Sequence, residues 1–282
     1  MSDEGPVVED PRLVLKRYGL WAKKSWGQNY LIDTRVHEAI VRATVHADDD
    51  VVLEIGGGLG TLTARLAHAV PRGRVIVVER EPDMVRVLQT EVGGMAHVSV
   101  RAGDALKIDY AALAREVGRP LAMAGNLPYQ IASPLLFHML DARAHLTRMV
   151  VMLQKEMVDR ILAPPGTKAY GALGVMITMV ADAKAVIRAK AGAFHPAPKV
   201  DSTVLALTPL AGTRAPVTSE KRFSEVVHAA FGQRRKTLRN ALRARWTEEI
   251  VDAALGAAGI DGQRRGETLT VAEFAALSNA IA

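Results

Sequence analysis

The sequence predicts an α/β fold: a mostly parallel β-sheet with helices on both faces, followed by a small C-terminal all-helical domain. From residue 51 onward, short apolar segments alternate with amphipathic ones, as in chains that join parallel strands by helices. Beyond residue 219, only the helical spacing of apolar residues remains. The chain has 282 residues, 49% of them hydrophobic, which is enough for two domains with buried cores.

Five strands of the sheet are predicted from short apolar runs. They are residues 51–55, 74–79, 97–101, 121–125 and 149–153. A glycine-rich turn and a helix over 61–69 follow the first strand, and Pro82 suits the first turn of the helix after the second. Residues 204–207 come after two prolines and predict a further strand at the edge of this sheet.

Changes in composition predict the domain boundaries. Residues 1–11 are acidic, contain two prolines and predict a flexible tail. Residues 12–211 form the predicted catalytic domain and residues 212–282 the helical C-terminal domain, with a linker over 210–216. No apolar run approaches the roughly 20 residues that cross a membrane, and no export signal opens the chain. A cytoplasmic protein without a membrane partner is therefore expected.

Metal sites are not predicted. The chain contains no cysteine, which excludes disulfides and thiolate ligands, and its eight histidines show no ligand spacing. His195 lies between a phenylalanine and a proline, where packing explains it better than a role as a general base.

Basic residues concentrate in one segment of the predicted C-terminal domain. The formal net charge is only +6, but residues 233–245 hold six basic residues and no acidic one. These are Arg234, Arg235, Lys236, Arg239, Arg243 and Arg245. The four-residue recurrence of Arg235, Arg239 and Arg243 would place them on one helix face, suited to a phosphate backbone such as RNA. A solvated helix face explains the same charges, and both interpretations stay open.

Residues 54–60 (EIGGGLG) join the first predicted strand to the first helix. Gly56, Gly58 and Gly60 allow a sharp turn and a close approach of the backbone to a ligand. Thr61 stands where the dinucleotide fingerprint requires glycine or alanine, which argues against NAD. The spacing instead resembles motif I of the class I methyltransferases, which bind S-adenosylmethionine in a Rossmann-like fold. An ordinary glycine-rich turn is the alternative.

Two carboxylates follow the next two strands. Glu79 ends the second strand, where a carboxylate can accept hydrogen bonds from both ribose hydroxyls of a nucleoside. Asp104 follows the third strand and can accept a hydrogen bond from an adenine amino group, while a main-chain N–H close by, as at Ala105, can donate to the ring nitrogen. Because both would lie at one edge of a parallel sheet, they predict a nucleoside site.

The tetrapeptide Asn126-Leu127-Pro128-Tyr129 closes the fourth strand and matches the motif of enzymes that methylate exocyclic amino groups. The amino nitrogen of adenine is planar and poorly nucleophilic, because its lone pair is delocalised into the ring. The Asn126 side-chain oxygen and the Leu127 carbonyl can hold its two protons and favour a tetrahedral nitrogen. Pro128 stiffens the turn, and Tyr129 offers a face for stacking. An Asx-Pro turn without chemistry is the alternative.

Six segments, in the same order along the chain, resemble the small-subunit ribosomal RNA adenine dimethyltransferases, the KsgA-type (RsmA) family. They are residues 24–31 (KSWGQNYL), 125–131 (GNLPYQI), 153–156 (LQKE), 168–171 (KAYG), 194–202 (FHPAPKVDS) and 233–240 (QRRKTLRN). The resemblance implies four methyl transfers, two to each of two adjacent adenosines near the 3′ end of 16S ribosomal RNA, in an immature 30S subunit. A monomer is expected.

The resemblance also assigns roles to residues. Those implied to hold S-adenosylmethionine are Gln28, Asn29, Leu31, Gly56, Gly58, Gly60, Glu79, Asp104, Ala105 and Asn126. Those implied to meet the target base or RNA are Tyr129, Phe194, Arg234, Arg235, Lys236, Arg239 and Arg243. The chain departs from the family pattern at Gly57, which replaces a usual proline, and at Trp26 and Tyr30, which replace leucine and phenylalanine.

Three other functions remain as alternatives. A methyltransferase of the macrolide-resistance type acts on 23S RNA and shares the glycine loop, but usually lacks the RRKTLRN segment. A ribosome-assembly factor with dispensable catalysis would keep the RNA-binding surface. A DNA adenine methyltransferase is disfavoured, because nothing in the sequence resembles a domain that reads DNA sequence.

Overall fold

A computed structural model of the chain describes residues 9–22 and 28–281, and the backbone alone of Tyr129. The predicted tail over 1–11 therefore lies mostly outside the described residues, as do Lys23, Lys24 and Trp26. Pro11 already opens the first helix, with the side chain of Asp10 accepting a hydrogen bond from the Arg12 amide.

The chain divides into two compact units, each continuous in space but not in sequence. The first unit holds Met1–Lys155 with Lys184–Pro209, and the second holds Glu156–Ala183 with Leu210–Ala282.

The strands form one large sheet and one small one. Their bounds are β1 (Tyr30–Leu31), β2 (Val51–Ile55), β3 (Arg74–Glu79), β4 (Val98–Ala102), β5 (Leu121–Asn126), β6 (Leu146–Gln154), β7 (Ala181–Ala189), β8 (Phe194–His195) and β9 (Ser202–Pro209). The large sheet has the order β4-β3-β2-β5-β6-β9-β7, and β1 pairs with β8. The ladders that join β4, β3, β2, β5 and β6 are parallel, and β9 runs antiparallel to β6.

Helices connect the strands and form the C-terminal part of the chain. They are α1 (Pro11–Arg17), α2 (Thr34–Thr44), α3 (Thr61–Ala69), α4 (Pro82–Glu91), α5 (Tyr110–Val117), α6 (Ala132–Asp141), α7 (Lys155–Ile161), α8 (Ala172–Val180), α9 (Glu220–Gly232), α10 (Leu238–Leu242), α11 (Glu248–Ala258) and α12 (Val271–Ala280). The predicted fold, a mostly parallel sheet flanked by helices with a helical C-terminal region, is confirmed.

One strand lies elsewhere than predicted. The apolar segment 204–207 belongs to β9, which lies between β6 and β7 and not at the edge of the sheet. The edge strand on this side of the sheet is β7. It carries the exposed charged residues Asp182, Lys184 and Arg188, so it has no apolar run from which a strand would be predicted. Charged side chains on an edge strand are what discourages pairing with another chain.

The sheet is buried on both faces around β2, since all five of its residues are buried. On one face, Val52 packs in a cluster with Val36 and Ile40 of α2 and Leu66 of α3. Burial of these side chains fixes α2 and α3 against the sheet, which places the loops before α3 at its carboxyl end.

The second unit has its own apolar core. In α9, Phe231 packs between Tyr170 and Phe274, with ring centroids 5.8 Å from each. The Tyr170 hydroxyl donates to the carbonyl of Leu269 at 2.9 Å. Residues 156–183, assigned from sequence to the catalytic domain, therefore belong to this unit, because α8 and Tyr170 pack against its helices.

Candidate active site

The order of the strands reverses between β2 and β5, because β3 continues the sheet on one side and β6 on the other. Ligands of open α/β sheets bind at such a switch point, outside the carboxyl ends of the strands. Ile55 lies beside Gly125 in the ladder, so the glycine loop and Asn126 leave the sheet side by side. A Cβ at Gly125 would lie 2.7 Å from the Ile55 carbonyl, which explains the glycine.

The glycine loop depends on backbone angles that other residues rarely adopt. Gly56, Gly58 and Gly60 have φ of 75°, 54° and 81°, in the left-handed region. Gly56 and Gly58 line a cavity of about 380 Å³, whereas Gly60 does not. Gly60 is the N-cap of α3 and turns the chain into that helix, and its predicted cofactor contact stays a prediction.

Gly57 has a different reason to be glycine. A Cβ there would lie 2.3 Å from Cγ2 of Val77 and 3.1 Å from the methyl groups of Leu88. Glycine therefore replaces the usual proline here because the side chains of Val77 and Leu88 fill the space that a larger residue would need.

Glu79 holds the loop as well as facing the cavity. Its Oε1 accepts from the amides of Arg80 and Glu81 at 2.7 and 2.9 Å, and its Oε2 accepts from the amide of Gly58 at 3.0 Å. A carboxylate has about four acceptor positions, so one remains on Oε2 in this arrangement. One ribose hydroxyl can use that position directly, and a second would have to share it.

Asp104 and Ala105 follow β4 and line the same cavity. Oδ1 of Asp104 accepts from the amide of Leu106 at 3.0 Å, which caps the short 3₁₀ turn Ala105–Lys107. That bond fixes the carboxylate and leaves Oδ2 as an acceptor for a ligand amino group.

The segment before α2 covers the glycine loop. In the small sheet Tyr30 pairs with His195, and Leu31 pairs with Phe194. Gln28, Asn29 and Leu31, all predicted to hold the cofactor, line the cavity. The Tyr30 ring lies over Gly58, 3.4 Å from where a Cβ would be, and the Tyr30 hydroxyl donates to Sδ of Met84 at 3.3 Å. The hydroxyl that distinguishes this tyrosine from phenylalanine thus ties the segment to α4.

The tetrapeptide is held by main-chain and side-chain bonds. The Asn126 side-chain amide donates from Nδ2 to the Asn29 carbonyl at 3.1 Å, which leaves Oδ1 as an acceptor. The Leu127 amide donates to the Met152 carbonyl at 3.3 Å, and its side chain is buried. Pro128, with φ of −58°, also lines the cavity. The predicted stacking role of Tyr129 concerns a side chain outside the described residues.

Phe194 is buried in the core and not at the target base, where the sequence predicts it. Its side chain is 4% exposed and packs with Leu31, Val36 and Ala193 in the core, and it does not line the cavity. Burial leaves no ring face for a target base in this arrangement, so the predicted contact is not present. The adjacent His195 is exposed.

Two titratable residues at the cavity have no role predicted from the sequence. Glu54 and His37 both line it, and both are almost fully buried. Burial lowers the pKa of His37 to about 4, with the Arg65 charge adding to the effect, so this imidazole is neutral near pH 7. Burial raises the pKa of Glu54 to about 7. The available signal was the carboxyl of Glu54 in an otherwise apolar strand.

The basic segment 234–245 lies in the second unit, and most of its arginines are already paired. Ion pairs join Arg239 to Asp252 at 3.3 Å, Arg243 to Asp252 at 3.8 Å and to Glu248, and Arg245 to Glu225 at 2.8 Å. These guanidinium groups face acidic side chains of neighbouring helices. The predicted helix face shared by Arg235, Arg239 and Arg243 is not present, and RNA contact by the last two stays a prediction. Arg235 precedes α10 and is not on it.

Three other residues of the segment differ in their surroundings. Arg234 donates to the carbonyl of Lys168 and to Glu267, so it stabilises the unit. Arg235 and Lys236 are exposed, and within the described part of the chain neither forms an ion pair. These two cations are the ones available to a polyanion.

Neither a metal cluster nor a membrane span occurs among the described residues. No cluster of three or more histidine, aspartate or glutamate residues there could hold a metal ion. None of the described helices combines the length and apolarity of a membrane span.

Comparison with known sequences gives a consistent set of relatives. A profile of the family described as ribosomal RNA adenine dimethylase matches residues 19–282. Ribosomal RNA small subunit methyltransferase A of Myxococcus xanthus is 49% identical over 278 residues, covering 97% of this chain and 96% of that protein. The protein of the same name from Anaeromyxobacter sp. is 46% identical over 295 residues and covers 100% of both chains.

Two solved structures share the fold over most of the chain. The 23S rRNA methyltransferase ErmE matches with a TM-score of 0.68 at 24% identity, covering 90% of this chain and 99% of that one. A dimethyladenosine transferase from Plasmodium falciparum matches with a TM-score of 0.70 at 23% identity, covering 88% and 95%. Since the family profile spans almost the whole sequence, the chain belongs to the ribosomal RNA adenine dimethylase family.

Proposed function

We propose that this protein transfers methyl groups from S-adenosylmethionine to the amino groups of two adjacent adenosines near the 3′ end of 16S ribosomal RNA. The observation that carries the proposal is the position of the Asn126 amide, oriented by Asn29 beside a cavity that also holds Glu79 and Asp104. Family membership and two relatives named for the small ribosomal subunit support the choice of RNA.

The residues of the cavity fit S-adenosylmethionine. Asp104 and Glu79 follow β4 and β3 in the order of the sheet, which suits an adenine and then a ribose. Beyond them, toward β2 and α2, the cavity is lined by Glu54, whose buried Oε2 has no hydrogen-bond partner. A buried carboxyl without a partner suits the cationic amino-acid end of the cofactor.

The cofactor, when bound, supplies a methyl group already activated on a cationic sulfur. The protein's task is then to position and polarise the adenine amino group. Oδ1 of Asn126 and the Leu127 carbonyl accept hydrogen bonds from its two N–H groups, which draws the nitrogen lone pair out of the ring. Pro128 holds the turn, and burial of the Leu127 side chain keeps its main chain at the cavity. No general base is required for this polarisation.

RNA binding is assigned to the exposed pair Arg235 and Lys236. Exposed cations without an internal partner can contact phosphates at little cost, whereas Arg239 and Arg243 would first have to leave Asp252. We propose an immature 30S particle in the cytoplasm as the substrate and a monomer as the active form.

The rival target is 23S RNA, since ErmE shares the fold at 24% identity. Two of this chain's relatives, at 46% and 49% identity, carry the small-subunit name, which favours 16S RNA. A binding role with dispensable catalysis is disfavoured by the intact Asn126 arrangement.

The test is transfer of labelled methyl from S-adenosylmethionine to 30S particles that lack these methyl groups, followed by mapping of the product. We expect label on two adjacent adenosines near the 3′ end of 16S RNA, and none with Asn126→Ala. The exposed helical residue Gln89 provides a matched control in Gln89→Ala, which should transfer normally. Label found only in 23S RNA or DNA would overturn the assignment.

A further inference from the structure

The N-terminal helix α1 packs against one wall of the cavity. Its residues Val14 and Leu15 are 2% and 5% exposed. They form one apolar cluster with residues of the glycine loop and of α4, namely Leu59, Met84 and Val87. Leu59 and Met84 also line the cavity. This wall is therefore a single layer of side chains, with the cavity on one side and α1 on the other.

Polar bonds hold α1 against the far end of α4. Glu91, the last residue of α4, accepts at Oε1 from the Tyr18 hydroxyl at 2.7 Å and from Nη1 of Arg17 at 2.9 Å. The bond to Glu91 raises the pKa of Tyr18, so the hydroxyl stays protonated near pH 7 and can donate. Since Met84 lies in the first turn of α4, the contacts of α1 reach both ends of that helix.

Tyr30 connects the cluster to the proposed catalytic amide. Its ring packs against the same apolar side chains, and its hydroxyl donates to Sδ of Met84 at 3.3 Å. The residue before it, Asn29, accepts at its main-chain carbonyl from Nδ2 of Asn126 at 3.1 Å. Because Tyr30 and Asn29 are neighbours in the chain, a shift of the tyrosine also moves the carbonyl that orients Asn126.

The side chain of Leu15 keeps the wall in place. Protein interiors are close-packed, so truncation of this side chain would leave a void behind Leu59 and Met84. Neighbouring side chains move to fill part of such a void. Here the neighbours are the cavity wall and Tyr30, so the movement would reach the ligand site. Leu13, on the outer face of α1, is 53% exposed, and its truncation leaves no void.

We propose that α1 is a positioning element of the methyl-transfer site and that Leu15 is its central positioning residue. Packing of α1 holds the wall against the cofactor and holds Tyr30 where Asn29 orients the Asn126 amide. Docking of α1 and binding of the cofactor then stabilise each other, because coupling between two sites is reciprocal. This inference rests on the proposed function, since it takes the cavity to hold S-adenosylmethionine or its product.

The first measurement is hydrogen exchange of the full-length parent protein with and without saturating S-adenosylhomocysteine. The amides of Tyr18 and Leu20 donate to the carbonyls of Val14 and Leu15 at 3.2 and 2.9 Å, so they exchange when α1 opens. We expect the ligand to slow this exchange about fivefold or more. The amide of Arg119, which donates back to α5 at 3.1 Å, should keep its rate, because no residue of α5 belongs to the cluster.

The second measurement compares variants of α1 by calorimetry and single-turnover methyl transfer. Leu15→Ala should lower the affinity for S-adenosylhomocysteine about fivefold or more, and lower kcat at saturating cofactor and RNA about tenfold. A helix that only stabilised the fold would lower Tm and leave both quantities unchanged. Leu15→Met keeps the volume of the side chain and should recover both. The matched control is Leu13→Ala, which should behave as the parent.

The outcomes separate this inference from the proposed function. Exchange in α1 that S-adenosylhomocysteine does not change refutes the role of α1, and so does a folded Leu15→Ala protein with parental affinity and kcat. In both cases the methyltransferase assignment stands. A parent protein that neither binds S-adenosylhomocysteine nor transfers methyl groups would overturn both. Because the exchange measurement uses the parent protein, a Leu15→Ala variant that fails to fold leaves the test intact.

Discussion

The side-chain amide of Asn126 donates a hydrogen bond to the main-chain carbonyl of Asn29, with 3.1 Å between the two atoms. Since a carbonyl can only accept, this bond fixes which end of the amide faces away from Asn29. The carbonyl oxygen of Asn126 is thereby left for the substrate amino group. The segment that covers the glycine loop thus also sets the orientation of the proposed catalytic amide.

Replacement of Asn126 by aspartate tests this relationship. A carboxylate cannot donate to the Asn29 carbonyl and repels it, so Asn126→Asp should lose orientation while keeping an acceptor oxygen. We expect kcat for methyl transfer to fall about 100-fold or more, with a smaller change in affinity for S-adenosylhomocysteine. Single-turnover transfer and calorimetry measure the two quantities. The amide-to-acid control Gln89→Glu should change neither, and an Asn126→Asp protein with parental kcat would contradict the argument.

Gly57 and Val77 provide a packing prediction. A Cβ at residue 57 would lie 2.3 Å from Val77 Cγ2, so Gly57→Ala should lower the free energy of unfolding by about 1–3 kcal/mol. Val77→Ala removes the obstructing methyl groups, and the double variant should be more stable than the sum of the two single effects predicts. Urea denaturation of the four proteins measures the coupling. If the destabilisation of the double variant equals the sum of the two single effects, the loop accommodates the new Cβ without contact with Val77.

Replacing the arginines of the basic segment by acids would change RNA affinity and protein stability together. Alanine substitutions allow the two effects to be measured separately. Arg235→Ala with Lys236→Ala should weaken binding to 30S particles and reduce the slope of log K against log salt by about 2, with no change in Tm. Arg239→Ala should lower Tm, because it removes the 3.3 Å ion pair with Asp252. Filter binding over a salt series and thermal denaturation distinguish them. The opposite pattern would assign RNA binding to Arg239 and not to the exposed pair.

The raised pKa of Glu54 should make the free energy of unfolding of the ligand-free protein depend on pH. This pKa is about 7 in the folded protein against an ordinary value of 4.5, so the folded state keeps a proton that the unfolded chain releases. This stabilisation is complete below about pH 4.5 and is lost as the pH rises through 7. Relative to Glu54→Gln, the parent should lose up to about 3 kcal/mol over that interval. Urea denaturation at several pH values measures it, and parallel curves for the two proteins would contradict the shift.

Glu79 supports the loop and the proposed ribose contact together. In Glu79→Gln one of the two oxygens becomes an NH₂ group, which cannot accept from the Gly58, Arg80 or Glu81 amides. Affinity for S-adenosylhomocysteine and affinity for 5′-methylthioadenosine should therefore both fall, about tenfold or more, since an acceptor that holds the loop amides and faces the ribose is lost. Asp83, which pairs with Arg86 and does not line the cavity, offers a control in Asp83→Asn. Unchanged affinity for both ligands would remove Glu79 from the site.

The strands and the glycine loop could be predicted because their determinants are local. Residues 51–55 and 74–79 are apolar runs whose bounds in the structure are the same, and left-handed angles at Gly56 and Gly58 follow from a sharp turn that only glycine makes easily. Parallel strands align their carboxyl ends, so Glu79, Asp104 and Asn126 meet at one cavity, as their positions after the strands predict.

The sequence alone thus determined the α/β fold and the residues that gather at the ends of its strands, because these follow from short-range periodicity and turn geometry. Only the tertiary structure decided which charges are free. Arg239 is neutralised by Asp252, thirteen positions away, and Phe194 is buried among side chains from α2 and β1, whereas Glu54 is left without a partner. Pairing and burial depend on what distant segments bring to a side chain, and no local pattern records that.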